Sequence, residues 1–120
     1  MERGDMINRE QFFQAAEAHA NGALPTEDVE IDGLGTIRVK ALMLGEFERL
    51  NELHEGKGQK GFRAALIVAC CVDERGAQVF QDSDAPRFDT VLSYLVAPIV
   101  AAAVKVNKLG IEDAEKLRKN

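Results

Sequence analysis

Cys70 and Cys71 stand side by side and are followed by Asp73, Glu74, Asp82 and Asp84, a stretch whose residue types could hold a metal or carry redox chemistry. The spacing argues against both. A structural zinc site draws about four ligands from spaced Cys or His pairs, whereas neighbouring cysteines on a helix point about 100° apart. The chain has no CxxC and no His pair, and His19 and His54 are isolated. A reactive thiol needs a basic neighbour or a helix N-terminus. Here both thiols are expected at the C-terminal end of a helix, where the dipole disfavours a thiolate. The expectation is a pair of buried thiols acting as small hydrophobes.

The acids that follow do not have the alternating ligand positions and closing Glu of a calcium loop. Asp73 is instead expected to bond backbone two residues on, with Gly76 supplying a positive φ, so the segment 73–76 reads as a turn. Ser83 and Ser93 have no histidine or acid that marks either as a nucleophile. The Gly-rich segments "GLG" and "GKGQKG" lack the GK[ST] of a phosphate-binding loop, and the first lies between two strands. Glu46 and Glu48 belong to a solvated face. The reading is therefore no catalytic, metal or cofactor-binding residue, and a protein that is not an enzyme.

A chain of 120 residues suits one domain with one core, taken here as residues 1–120. Aromatics make up only 6% with no Trp, so the core must be built from Ala, Val, Leu and Ile. A net charge of −5 with scattered bases argues against nucleic acid, which demands clustered Lys and Arg. The longest charge-free run, residues 90–104, is 15 residues and contains Pro98. That is short of the roughly 20 a bilayer span requires, so no membrane association is expected. With a polar first stretch and no apolar signal segment, the expected location is the cytoplasm.

The elements that position these groups follow from periodicity. Residues 8–22 read as an amphipathic helix capped by Asn8 with Gln11 at the capping-box position, ended by Gly22. Residues 29–40 alternate with period two, a hairpin with a loop at residues 33–35. That loop sets Ile31 opposite Ile37, Val29 opposite Val39 and Glu30 opposite Arg38. Helical spacing returns at 45–55, with Phe47 and Leu50 on one stripe, before a solvated linker at 55–61. Residues 62–72 form a helix apolar nearly all round, which belongs at the centre of the fold. Ser83 or Asp84 is placed to cap a helix over 86–95, and Pro98 to start another that Gly110 ends. On that last helix Ile99, Ala102, Ala103 and Val106 share one face, and Val100 and Val104 lie on others. A short charged helix closes the chain. The fold class is α+β, mostly helical: an N-terminal β-hairpin packed with four to five α-helices.

This order of elements, with the Val72-Asp73-x-x-Gly76-x-x-x-Phe80 turn, the acids after it and the terminal Lys119-Asn120, resembles the tail assembly chaperones of long-tailed, siphophage-type bacteriophages. The similarity covers residues 29–120; the helix within residues 1–25 lies outside it. The resemblance implies a non-enzymatic protein of the host cell cytoplasm. It would bind the tape measure protein, keep it soluble while the tail tube assembles, and be absent from the virion. It also implies a possible longer form made by ribosomal frameshifting.

Two helices carry more apolar surface than one small core needs, which marks either an interaction site or a compact, Ala-rich bundle with both helices central. Repeated side-by-side binding along a filament, which the resemblance implies, would favour self-association through a head-to-tail contact. Phe12 and Phe13 on the first helix and Val100 and Val104 on the last are the expected protein-binding residues. Asp73, Gly76 and Phe80 form a structural turn. A small structural tail component, either tube or completion protein, is the alternative. A small enzyme or ligand-binding domain stands third.

Overall fold

The computed structural model describes residues 6–22, 24–54 and 61–109. The first element, α1 (Arg9–Asn21), owes its ends to local chemistry. Asn8 Oδ1 accepts the Gln11 N–H at 2.8 Å and Gln11 Oε1 accepts the Asn8 N–H at 3.2 Å, a complete capping box. Gly22 closes the other end by donating its N–H to the Ala18 carbonyl at 3.0 Å. Every side chain from Arg9 to His19 is exposed.

Strands β1 (Thr26–Ile31) and β2 (Gly35–Lys40) form the expected antiparallel hairpin, with a register different from the expected one. Val29 faces Ile37, Ile31 faces Gly35, and Asp28 rather than Glu30 faces Arg38. The loop is Asp32, Gly33 and Leu34, closed by a bond from the Leu34 N–H to the Ile31 carbonyl at 2.9 Å. Gly33, third in that turn, has φ +78, which side chains rarely adopt. The observed register gains a two-pronged ion pair, Arg38 Nε and Nη2 to Asp28 at 2.7 and 3.1 Å. Both registers keep the same inward parity, so Val29 and Val39 are buried either way.

Helix α2 (Leu44–His54) begins where Glu46 reaches back to the Met43 N–H at 2.8 Å, and it buries Leu50 while Phe47 is half-buried. Of the solvated linker at 55–61 only Gly61 is described, and it starts α3 (Phe62–Cys70) with φ +86. The helix expected over 62–72 stops at Cys70. Cys71 and Val72 form β3 (Cys71–Val72), which pairs with Val39 and Arg38 to complete a sheet of order β1-β2-β3. Periodicity could not show this: an apolar run fits a buried helix or a buried strand equally, and the ladder bonds come from Arg38 and Val39, distant in sequence.

Past the turn, the helix expected over residues 86–95 is not one α-helix: only its last three residues, 93–95, are α-helical, and they open the next element. A 3₁₀ helix (Asp82–Thr90) contains Pro86, and Asp84 serves its start from the third position by accepting the Gln81 N–H at 2.8 Å. Nor does Pro98 begin the last helix. It lies inside α4 (Ser93–Val106) as its sixth residue, where it removes only the bond to the Tyr94 carbonyl. Tyr94 and Pro98 are both exposed, so water can take that carbonyl. The Gly110 stop, the closing charged helix and Lys119-Asn120 lie outside the described residues.

The fold is α+β and mostly helical. The all-round apolar helix is central: Ala65, Leu66, Ile67, Val68 and Cys70 of α3 are all buried, with Val39, Leu50, Ile99, Ala102 and Ala103 around them. Asn107, the C-cap of α4, ties the layers together. Its Oδ1 accepts the Leu42 N–H at 2.7 Å, and its Nδ2 donates to the Ala103 carbonyl at 2.9 Å and the Lys40 carbonyl at 3.4 Å. Asn107→Ala strands a half-buried Leu42 N–H and should cost about 1–3 kcal/mol in urea unfolding. A loss within about 0.5 kcal/mol would show that water replaces the side chain.

Candidate functional site

The two thiols are fully buried, Cys70 at the end of α3 and Cys71 at the start of β3. Burial pushes each up to about 12; a hydrogen bond from Asn107 Nδ2 to Cys70 Sγ at 3.7 Å offsets this only in part. Neither is a nucleophile near neutral pH. Folded protein should therefore resist a thiol reagent at pH 8 and react at both positions in denaturant. Fast labelling of the folded chain would overturn the assignment. An unfolded thiol ionises near pH 9, while the folded ones hold their protons to about 12. The neutral thiols therefore favour the fold fully below about pH 9, a contribution lost as pH climbs towards about 12.

Of the acids after the cysteines, Asp73, Asp82 and Asp84 are engaged within the protein. Asp73 Oδ1 accepts the N–H groups of Arg75 and Ala77 at 2.8 and 2.9 Å, and Gly76 takes φ +87. Phe80 then packs edge-on against Phe88 with centroids 5.2 Å apart. Asp73 and Gly76 thus lie in a turn over residues 73–77, after which Gln78 bridges Val72 antiparallel and the chain runs back beside β3; Phe80 lies beyond the turn. Asp82 accepts from Arg49, whose hydrogen bond holds its carboxyl below the usual carboxylate range. Arg38 does the same to Asp28. For Glu46, burial pushes upward, but the bonds from Lys40 and the Met43 N–H outweigh it and leave the carboxyl lowered. Among the described residues no three His, Cys, Asp or Glu side chains come together as a metal site would require. No helix among them is long and apolar enough to cross a membrane.

Part of what the fold leaves on its surface is apolar. On α4 the buried Ile99, Ala102 and Ala103 face the core, while Tyr94, Ala97, Pro98 and Ala101 are exposed. At about 100° per residue these four form one stripe along two turns. Val100 and Val104 lie on its shoulder, half-buried and packed against the core. A lysine closes the stripe, Lys105, paired with Glu27 at 3.3 Å.

A second surface is a cleft of about 620 Å³ between the hairpin tip and the start of α4, walled by Leu34, Ile37, Val79, Phe88, Leu95 and Val96. Phe12 and Phe13 are far from Val100 and Val104 in sequence and sit on a different element; on α1 they are 55% and 50% exposed, ring edge to ring face at 5.4 Å. Sequence reasoning missed the cleft, whose walls come from five separate segments. It also missed Asn107, for which an Asn just past a long apolar helix was the available signal.

Compared with protein-family models, with curated proteins and with solved structures, the chain has no match in any of the three.

Proposed function

We propose that this chain is a tail assembly chaperone of the siphophage type, which binds the tape measure protein and keeps it soluble until the tail tube forms around it. The observation that carries the reading, beside the resemblance in element order and turn sequence, is the exposed stripe of Tyr94, Ala97, Pro98 and Ala101 on α4. Alanines allow a partner helix to approach closely, and Tyr94 supplies a large anchor with a polar tip. A long helical protein with apolar stripes of its own suits such a face. The contact is apolar in its centre, with Val100 and Val104 on one shoulder, and it involves no catalysis.

The test is co-expression with the tape measure protein of the same phage, together with analysis of purified virions. The expected result is a soluble complex with several copies of this chain per partner, and virions free of it. An insoluble partner, or this chain retained in the particle, would overturn the reading and favour a structural tail component.

A further inference from the structure

We infer that helix α2 is a cover over α3, held shut by two ionised carboxylates, that opens as a unit while the rest of the core stays folded. Three α-helices pack on the core, and they are anchored unequally. Helix α3 buries Phe62, Ala65, Leu66, Ile67, Val68 and Cys70, and α4 buries Ile99, Ala102 and Ala103. Among the described side chains of α2, Leu50 alone is buried and Phe47 is half-buried, while Leu44, Glu48, Arg49, Asn51 and Glu52 are exposed. Helix α4 also leans on β1 and β2, whereas α2 packs chiefly on α3. An element that removes so little apolar surface from water opens at a lower free energy than its neighbours.

Two ion pairs add to that slight anchorage, and each joins α2 to another element through a carboxylate. At the start of the helix Glu46 accepts from Lys40 of β2 at 2.5 Å and from the Met43 N–H at 2.8 Å. One turn on, Arg49 donates to Asp82 at the head of the 3₁₀ helix. The groups acting on the two carboxylates are Lys40, the Met43 N–H, Arg49 and Gln78, whose Nε2 lies 3.4 Å from Asp82; the Cys70 thiol near Glu46 is neutral.

These contacts make the cover sensitive to acid. Burial raises the Glu46 carboxyl, but its hydrogen bonds hold it below the ordinary 4.5, and the Arg49 hydrogen bond holds Asp82 below the ordinary 3.8. An open α2 returns both groups to their ordinary values, so the open form takes up protons first. The ties therefore hold fully above about pH 4.5 and are lost as the pH falls through the lowered values of the closed form. Opening uncovers part of α3, on which every side chain except Arg63 is apolar.

The inference rests on the anchorage of α2 and not on the tape measure reading. Amide hydrogen exchange of the whole chain, corrected for intrinsic rates, tests it. At pH 6 residues 48–52 should be at least about 10-fold less protected than residues 66–70. Low urea should hardly change exchange in α2 while speeding it in α3, because a local opening exposes less surface than global unfolding. From pH 6 to pH 3.5 the opening of α2 should rise about 5-fold in wild type. It should stay nearly flat in Glu46→Gln with Arg49→Gln, which lacks both ties. Equal protection and equal urea dependence of α2 and α3 would make them one unit and overturn the cover, a result wild type gives whether or not the variant folds. A variant with the wild-type response to pH would overturn the role of the two carboxylates. Either failure could occur while the tape measure protein is still solubilised.

Discussion

Leu66→Ala is expected to lower the unfolding free energy by about 2–5 kcal/mol, measured by urea denaturation. Leu66 has no exposed surface and lies at mid-length on α3, the helix against which α2, α4, the 3₁₀ helix and the sheet all pack. Truncation removes its burial and leaves a cavity, since the neighbours are held by different elements and cannot all close in. A small domain has only about 5–15 kcal/mol in total, so this one change should consume a large share of it. Leu34→Ala is the matched control: the same chemistry at a residue 76% exposed should change stability by no more than about 0.5 kcal/mol. Equal losses at the two positions would show that α3 is not the centre of the fold.

The features legible in the sequence are those settled within a few residues. Asn8 and Gln11 cap α1 because a three-residue spacing is all a capping box uses. Asp73 and Gly76 make their turn because the bonds run only two to four residues. The strand and helix faces also survive, because parity and the helical period are local properties. The misreadings are of another kind. Loops at 32–34 and 33–35 both bury Val29 and Val39, so the faces could not choose between them; the Asp28–Arg38 pair and the Gly33 turn favour the first. Cys71 and Val72 leave the helix because β2 offers them a ladder, a decision made by distant chain. Pro98 reads as a helix start when its surroundings are unknown. Within α4 it costs one bond on the solvent side, while Ile99, Ala102 and Ala103 hold the helix against the core. Of the candidate binding residues, Phe12 and Phe13 are exposed. Val100 and Val104 are half-buried, because the apolar excess of α4 is shared between the core and the outer stripe.

Ala97→Glu should weaken binding of the tape measure protein by more than 100-fold, and this is the expected effect most specific to the proposed contact. Ala97 is exposed on α4 between Tyr94 and Ala101, so the substitution leaves the fold within about 0.5 kcal/mol of wild type. In the complex the same position would lie under a partner helix. A carboxylate there would lose its water without gaining a partner, a cost of several kcal/mol, and its bulk would hold the helices apart. Position 97 tests this better than 101, because a carboxylate at 101 would lie one turn from Lys105, which could neutralise it. Tyr94→Ala should cost about 2 kcal/mol or more as the loss of a central aromatic anchor. Glu52→Ala, at an exposed position of α2, should cost nothing measurable. Because the contact is apolar, wild-type binding should persist in about 0.5 M salt, which screens exposed charges beyond a few ångströms. Co-purification of the co-expressed pair, followed by a titration of each variant against the solubilised partner, reads all four outcomes. Full binding by Ala97→Glu, or a wild-type complex that dissolves in salt, would move the contact off α4 and onto a charged face of the molecule.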